Sequence, residues 1–333
     1  MAGKYILGVD GGNSKTDYLL CRADGAFVDI MRASNCSHEN HERGFDWMEE
    51  TMEGHVRELC KRNNISVGDI AAASFGLAGA DEPEQIAELK RRVTNMGFGN
   101  IAVANDGILG VKAVASAGVC AINGSGVVVV GIDDGGNFLQ VGGVGELSGD
   151  AGGGGYIARQ AVLAAYKEIY RAGEKSAITP GILEILNVAA PFDLHTAVNR
   201  LGYSLDRTRD IIRLADDAAQ KGDAVAARIF DGVGISCGQG VVGCVRNLSF
   251  AGEVVVVKAG SIWNVIGYPG MVAHFARTIR EGLDAPTRFE LLESTPALGA
   301  LFWAKELLDG KIDPGYREEM RRFLTPEKYN ALA

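Results

Sequence analysis

Asp106 stands where a carboxylate could do chemistry on a hydroxyl group. It follows the short apolar run at residues 101–105, so its side chain marks the end of a predicted strand. Two glycine-rich turns frame it in the chain, at residues 10–16 and 123–126. Backbone N–H groups in such turns can hold phosphate oxygens, and a carboxylate beside them could deprotonate a hydroxyl that attacks a triphosphate. These residues predict a small-molecule phosphotransferase.

The first turn carries three side chains suited to a β- or γ-phosphate: the hydroxyls of Ser14 and Thr16 and the cation of Lys15. It is not a P-loop, because that motif requires Gly immediately before the lysine and Ser14 stands there. A glycine turn can also be no more than a hairpin tip. The second turn favours the phosphate interpretation, since two turns could grip one triphosphate from opposite sides. Asp106 also has a structural alternative, as the N-cap of a helix after Gly107.

A third glycine-rich segment spans residues 142–155, with Asp150 just before a helix predicted to start near Tyr156. It would suit close approach to a polar ligand, and a mobile surface loop is the alternative. Residues 238–243 match the dinucleotide fingerprint GxGxxG, but the residues before them have helical rather than strand-like spacing. We therefore interpret these glycines as sites of close helix packing.

The composition is that of an ordinary globular protein. The chain has 333 residues, 47% of them hydrophobic and 23% charged, which is enough for two domains. Its net charge of −9 argues against nucleic acid as a partner. The six cysteines contain no CxxC pair, which favours a reduced cytoplasmic setting and predicts that Cys237 and Cys244 are core thiols. We expect no membrane insertion and no catalytic zinc, because no apolar stretch reaches about 18 residues and the histidines lack ligand spacing.

The elements that must position these residues follow from the apolar periodicity. Strands are predicted at residues 5–9, 17–21, 70–76, 101–105, 121–122, 127–130, 138–141 and 254–257. Helices are predicted at residues 44–62 and 84–96, after Gly107, across most of 156–232, after the last strand and in the tail at 313–333. The succession of strand, glycine turn and strand occurs twice. This recurrence indicates an internal duplication of an α/β architecture.

Together these motifs resemble those of a known group, the N-acetylglucosamine kinases and BadF/BadG ATPases of the actin, Hsp70 and sugar kinase superfamily. The resemblance runs through nearly the whole chain and rests on residues 9–16, Asn35, 77–81, 105–106, 124–126, 149–150 and 260–263. It implies an α/β, duplicated actin-like (ribonuclease H-like) two-domain fold with an active-site cleft between the domains. The implied domains are residues 1–115, which the tail at about 313–333 could join, and residues 116–312.

The resemblance also implies ATP-dependent transfer of phosphate to the 6-hydroxyl of an amino sugar, with Asp106 as the base and Asp10 orienting Mg²⁺. The implied sugar-binding residues are Asn35, Ala78, Gly79, Asp106, Gly143, Val144, Gly145 and Asp150. The implied nucleotide-binding residues are Gly11, Gly12, Asn13, Ser14, Lys15, Thr16, Gly124, Ser125, Gly126, Ala219, Gly260, Ser261 and Asn264. Two lobes would close over the sugar and exclude water, and a homodimer is expected.

The chain departs from the group's pattern in the third glycine-rich segment. Val144 stands where the group usually has Trp, and residues 149–153 read Gly-Asp-Ala-Gly-Gly where the group has Gly-Asp-Glu-Gly-Ser. The surface that this segment presents to the sugar would then be smaller and less polar, so the sugar could carry a substituent bulkier than N-acetyl. N-acetylmuramic acid fits that reasoning, glucosamine fits it less well, and the choice of amino sugar stays open.

Two other functions stay open on the same fold. One is an ATPase that activates a partner enzyme, which in this group needs cysteines for an iron–sulfur cluster at a dimer interface. The cysteine spacing here gives no clear pair for such a cluster. The other is a non-catalytic nucleotide or sugar sensor. Asp106 favours the enzyme, because a sensor needs no base.

Overall fold

The computed structural model describes residues 4–201 and 207–333 of the chain. The strands are β1 (Tyr5–Gly11), β2 (Lys15–Arg22), β3 (Phe27–Ser34), β4 (Ile70–Leu77), β5 (Ile101–Ala104), β6 (Gly118–Asn123), β7 (Val127–Ile132), β8 (Phe138–Gly142), β9 (Val254–Ala259) and β10 (Thr287–Leu291). The α-helices are α1 (Gly44–Asn63), α2 (Pro83–Asn95), α3 (Ile108–Lys112), α4 (Gly153–Tyr170), α5 (Ile178–Ile185), α6 (Leu194–Leu201), α7 (Thr208–Gln220), α8 (Ala224–Asn247), α9 (Ser261–Val265), α10 (Pro269–Gly282), α11 (Pro296–Asp309), α12 (Pro314–Phe323) and α13 (Pro326–Leu332).

Each predicted strand and helix is confirmed as an element of the described chain. The start of α4 is a correction, because this helix begins at Gly153 and not near Tyr156. The periodicity does not predict β3, β10 or α11. The part of the predicted helical segment at residues 202–206 lies outside the described residues.

The first sheet has the strand order β3-β2-β1-β4-β5. β2 is antiparallel to both β1 and β3, whereas β4 is parallel to both β1 and β5. The predicted hairpin is confirmed, with Gly11 opposite Thr16 next to its turn. β1 is buried on both faces, since Leu7 and Val9 join a core with α1 and α2 while Ile6 joins a core with α11.

Helix α11 lies directly against the backbone of its neighbours. A Cβ atom on Gly8 of β1 would lie 2.3 Å from the backbone nitrogen of Leu301. One on Gly299 would lie 2.0 Å from the carbonyl oxygen of Leu109 in α3. Only glycine permits such separations. α11 therefore fixes the positions of β1, which contains Asp10, and of α3, which begins two residues after Asp106.

The second sheet has the strand order β10-β9-β6-β7-β8, which matches the order of the first sheet read from the opposite edge. In both sheets the first strand of a glycine-tipped hairpin lies at the centre. Its hairpin partner lies on one side, and the strand that follows a helical segment lies on the other. The predicted duplication is confirmed.

The GxGxxG match at residues 238–243 lies inside α8, so it is not a loop after a strand. A Cβ on Gly238 would lie 2.8 Å from Cβ of Thr278 in α10, and the predicted close helix packing is confirmed. Cys237 and Cys244 are 1% and 0% exposed, which confirms them as core thiols.

By its internal contacts the chain divides into two compact units. Unit 1 comprises the described residues up to Cys120, Ile132–Asn137 and Glu290–Ala333, and unit 2 comprises Ala121–Gly131 and Phe138–Phe289. Helices α11, α12 and α13 therefore belong to unit 1. The domain boundaries expected from the sequence stay a prediction. In the ranges that the structure describes, no helix is long and apolar enough to cross a membrane.

Candidate active site

The first glycine turn joins β1 to β2 in unit 1. A hydrogen bond from the Gly12 N–H to the Lys15 carbonyl oxygen closes it (3.0 Å). Ser14 and Lys15 are exposed, so both side chains are accessible to a ligand. Thr16 is fully buried instead, and its hydroxyl lies 3.3 Å from the Cys36 sulfur. Of the two hydroxyls predicted to contact phosphate in this turn, only that of Ser14 is accessible.

The Lys15 cation is already paired. Its Nζ bonds the carboxylate of Asp17, which is 1% exposed, and Arg32 donates to the same carboxylate from Nε (2.7 Å) and Nη2 (3.1 Å). Burial would raise the pKa of Asp17, but the hydrogen bonds from Arg32 and Lys15 outweigh it and hold this pKa below its usual value. Two cations share one carboxylate, so one positive charge remains at this side of the turn.

Asn40, which no sequence motif includes, links the first turn to Asn35. Its Nδ2 donates to the Asn13 carbonyl oxygen (3.1 Å) and to Oδ1 of both Asn13 (3.2 Å) and Asn35 (3.3 Å). The structure therefore brings together Asn13, a predicted nucleotide-binding residue, and Asn35, a predicted sugar-binding residue.

Ala78 and Gly79 follow β4 and lie beside the same turn. The Ala78 N–H donates to the Gly11 carbonyl oxygen (2.7 Å). Gly79 has a φ of +80°, and a Cβ there would lie 2.7 Å from Cε1 of His38. Ser37 Oγ and His38 Nδ1 are buried with no hydrogen-bond partner among the described residues, and burial lowers the pKa of His38. The residues beside Gly79 therefore include two buried polar atoms without a hydrogen-bond partner among the described residues.

Asp10 and Asp106 lie at the same end of the first sheet, where the parallel strands β1 and β5 have their carboxyl ends. Asp10 is the next-to-last residue of β1, and Asp106 follows β5, with β4 between these strands. A Cβ on Gly12 would come within 3.9 Å of Asp106 Oδ2, so the turn approaches this carboxylate. Burial, followed by the charges of Asp106 and Asp17, raises the pKa of Asp10 to about 7, against the charge of Lys15. No group of three or more His, Cys, Asp or Glu side chains in the described chain is placed to hold a metal ion.

The surroundings of Asp106 suit a proton acceptor. Burial, followed by the charge of Asp81, raises the pKa of Asp106 to about 6. A base works best when its pKa lies near the working pH. The N-cap position of α3 falls on Gly107 rather than on Asp106, and Oδ1 of Asn105 accepts the Gly107 N–H (2.7 Å). Asn105 also donates from Nδ2 to Asp81, so it orders both neighbours of the carboxylate.

The second glycine turn, at residues 123–126, joins β6 to β7 in unit 2. The N-terminus of α4 lies against it, since the Gly154 N–H donates to the Gly124 carbonyl oxygen (2.8 Å). Gly153 has no space for a side chain, because its Cβ would lie 2.5 Å from the Ser125 carbonyl oxygen. The first N–H groups of a helix, with its dipole, favour anions. This turn is therefore suited to phosphate through its backbone and the exposed Ser125.

The loop at residues 142–150 is arranged around Asp150. Its Oδ2 accepts the N–H groups of Gly143 (2.9 Å) and Gly145 (2.7 Å). Val144 between them is 75% exposed. The structure thus brings together the four predicted sugar-binding residues of unit 2.

A cavity of about 200 Å³ lies beside Asp150. It is lined by strands β7 and β8, by the loop and by α8. Its polar lining residues are Ser148, Asp150, Ser236 and Gln239. Sequence reasoning does not predict the last two, because they lie on a helix far along the chain.

Gly260, Ser261 and Asn264 lie where β9 passes into α9. Gly260 has a φ of +98°, and a Cβ there would lie 2.4 Å from the Asn123 carbonyl oxygen. Asn264 donates from Nδ2 to the Gly260 carbonyl oxygen (3.3 Å), and both Ser261 and Asn264 are exposed. Ala219 lies on a different element, α7, and is 3% exposed. It can offer a ligand only a small contact.

The fold and these turns define a class of protein. Two units repeat one strand order, and each has a glycine turn at its central hairpin. This is the duplicated actin-like α/β fold of ATPases and sugar kinases. The chain belongs to the BadF/BadG/BcrA/BcrD ATPase family, whose model matches residues 7–304.

Comparisons with individual proteins agree with this family. The chain is 28% identical over 271 residues to an N-acetylmuramic acid/N-acetylglucosamine kinase of Clostridium acetobutylicum, covering 80% of this chain and 87% of that protein. It is 26% identical over 243 residues to an N-acetyl-D-glucosamine kinase of Dictyostelium discoideum, covering 68% and 74%. A solved structure from Chromobacterium violaceum, assigned as an N-acetylglucosamine kinase, matches with a TM-score of 0.61 at 17% identity and covers 93% of this chain and 100% of that one. That similarity supports the fold.

Proposed function

We propose that the chain is an ATP-dependent kinase that phosphorylates the 6-hydroxyl of an amino sugar. The observation that carries the proposal is Asp106, a partly buried carboxylate whose pKa is raised to about 6 and which lies beside an accessible glycine turn. Membership of an ATPase family supports the use of ATP. The names of the two curated relatives support N-acetylglucosamine or a related sugar as the acceptor.

In this reaction Asp106 accepts the proton of the 6-hydroxyl as its oxygen attacks the γ-phosphorus. The bond from that phosphorus to the bridging oxygen breaks, and ADP leaves. Negative charge on the phosphates needs fixed donors. Unit 1 offers the Ser14 hydroxyl and the positive charge that Lys15 and Arg32 share, and unit 2 offers Ser125 and the N-terminus of α4.

Asp10 fits a role in holding Mg²⁺. Burial and the charge of Asp106 raise its pKa to about 7, so a cation beside it would relieve both costs. Mg²⁺ is commonly held by one or two carboxylates together with nucleotide phosphates and water. Asp10 would supply the protein oxygen, directly or through a water. When bound, Mg²⁺ supplies neutralisation of the phosphate charge.

The proposed sugar-binding residues of unit 1 are Asn35, Ala78 and Gly79, and those of unit 2 are in the loop around Asp150. Oδ2 of Asp150 already accepts two N–H groups, which leaves Oδ1 for a sugar hydroxyl. The cavity of about 200 Å³ next to Asp150 has room for an acylamino or larger substituent. N-acetylglucosamine, N-acetylmuramic acid and glucosamine are the sugars to compare.

The rival function of activating a partner enzyme through an iron–sulfur cluster is disfavoured by a specific observation. All six cysteines are buried free thiols. Burial raises the pKa of Cys21, Cys120, Cys237 and Cys244 to about 12, whereas a cluster needs thiolates. An interface cluster would need exposed cysteine ligands.

The test is ATP turnover by the purified protein with Mg²⁺ and each of the three sugars, with a no-sugar control and glucose for comparison. We expect stimulation by at least one amino sugar and none by its 6-deoxy analogue, since that analogue lacks the accepting hydroxyl. Turnover that is equal with and without every sugar would overturn the proposal and support the ATPase-activator function.

A further inference from the structure

Asp216 is a buried carboxylate on α7 that the catalytic proposal does not use. It is 7% exposed. Its Oδ1 accepts the Tyr268 N–H (2.9 Å), and its Oδ2 accepts the Gly267 N–H (2.9 Å) and the side-chain amide of Gln220 (2.8 Å). The two backbone donors belong to the link between α9 and α10, so one side chain fastens this link to α7.

Both joined segments carry a residue that the family resemblance implies to be nucleotide-binding. Ala219 lies one helical turn after Asp216 on α7, and Asn264 lies just before the fastened link. Val265 in the same segment is 61% exposed, which leaves an apolar side chain for a flat ring to cover. A movement of the link relative to α7 would separate these contacts.

We propose that Asp216 is a positioning residue for the nucleoside: it holds the segment that carries Asn264 and Val265 at a fixed distance from Ala219. The inference rests on the proposed nucleotide site but not on the identity of the sugar. Both carboxylate oxygens of Asp216 already accept hydrogen bonds from donors of the protein. Its loss would weaken recognition of the nucleoside and leave phosphate binding unchanged.

The test compares the binding of ADP with that of inorganic pyrophosphate by calorimetry. In Asp216→Asn the amide nitrogen opposes a backbone N–H, so one buried donor loses its acceptor. We expect ADP binding at least tenfold weaker than in the wild type and pyrophosphate binding within twofold. Gln220→Ala removes only the exposed third donor, keeps the fold, and should weaken ADP binding about threefold.

Asp223→Asn is the matched control, because Asp223 also joins two segments of unit 2. Its carboxylate accepts the Ala177 N–H (2.6 Å) and the Ala226 N–H (2.8 Å) at the start of α8. This control should lose thermal stability but bind ADP within twofold of the wild type. Equal weakening of ADP binding in the Asp216 and Asp223 variants, or equal weakening of ADP and pyrophosphate, would overturn the inference.

The two proposals fail separately in this design. A wild-type protein that binds ADP but shows no sugar-dependent turnover would sink the kinase proposal and leave the role of Asp216 standing. A wild-type protein that binds no ADP would overturn both.

Discussion

The two glycine turns occupy the same place in the two sheets, yet they differ in charge. In unit 1 Asp10 precedes Gly11 at the end of β1, and burial raises the pKa of this carboxylate to about 7. In unit 2 Asn123 precedes Gly124 at the end of β6, and its Oδ1 accepts the Gly153 N–H (2.7 Å). The backbone was duplicated and the carboxylate was not. A repeated fold can therefore supply two turns with the same backbone while only unit 1 carries a buried carboxylate at its turn.

The glycines that follow the equivalent strands β4 and β9 show a second difference between the units, in packing. Gly79 follows β4 and Gly260 follows β9, and both have positive φ. The missing side chain of Gly79 faces the His38 ring, whereas that of Gly260 faces the Asn123 backbone. Unit 1 presents side chains at this position, whereas unit 2 presents backbone.

Asp106→Asn should give the largest effect, because it removes the proposed base. We expect sugar-dependent turnover to fall by about 100-fold or more, with ADP binding unchanged. Steady-state kinetics with the stimulating sugar would measure it. Asp24→Asn, an exposed carboxylate of the same unit, is the control and should keep full turnover. Unchanged turnover in Asp106→Asn would remove the assignment of chemistry to unit 1.

The two positive-φ glycines should respond differently to alanine. Gly260→Ala places Cβ 2.4 Å from a backbone oxygen in addition to the cost of positive φ, so we expect a loss of about 3 kcal/mol in the free energy of unfolding. Gly79→Ala meets side-chain atoms of His38 and Glu39 rather than backbone, so we expect a smaller loss of about 2 kcal/mol. Urea unfolding of both variants decides this. Equal losses would show that the side chains around Gly79 resist a new Cβ as strongly as the backbone around Gly260 does.

Removing the carboxylate before the first turn and adding one before the second turn should change the free energy of unfolding in opposite directions. The folded-state pKa of Asp10, about 7, lies above the ordinary value of 3.8, so protonation favours the folded state and its contribution is lost as pH rises through 7. Asp10→Asn should therefore stabilise the protein by about 3 kcal/mol more at pH 8 than at pH 5. Asn123→Asp buries a new carboxylate without a paired cation, a cost larger than the N-terminus of α4 offsets, so it should destabilise the protein, more at pH 8 than at pH 5.

Thermal unfolding of both variants at the two pH values measures these effects. The wild type at each pH is the reference. A pH-independent change in both variants would contradict the electrostatic difference between the turns. Asp10→Asn should also raise the Mg²⁺ concentration needed for half-maximal turnover.

The smallest expected effect concerns the pKa of Asp106, the proposed base. The charge of Asp81 helps to raise the pKa of Asp106, so Asp81→Asn should move the acid limb of kcat/KM to lower pH by a fraction of a unit. Glu84→Gln, an exposed change in α2, should leave the limb in place. A shift to higher pH in Asp81→Asn would mean that hydrogen bonding through Asn105 outweighs the charge.

Much of this arrangement can be predicted from the sequence, because strands and glycine turns are local patterns. The start of α4 could not, since glycine disfavours helices and the reason for Gly153 is its contact with Ser125 in a distant turn. The ion pair of Asp17 with Arg32 was not predicted, because Arg32 lies on β3, a strand that the periodicity does not predict. The part played by Asn40 was not predicted either, because it depends on how a short turn folds back onto another loop.

Helix α11 determines the order in which the two units can fold during synthesis on the ribosome. Gly8 must meet Leu301, so the core of unit 1 cannot close until almost the whole chain has been made, which takes roughly 15 to 60 s at usual rates of synthesis. Unit 2 is nearly continuous in the chain and is synthesised before α11. The nascent chain would then complete its second unit first, and the earliest residues to emerge would be among the last to be buried.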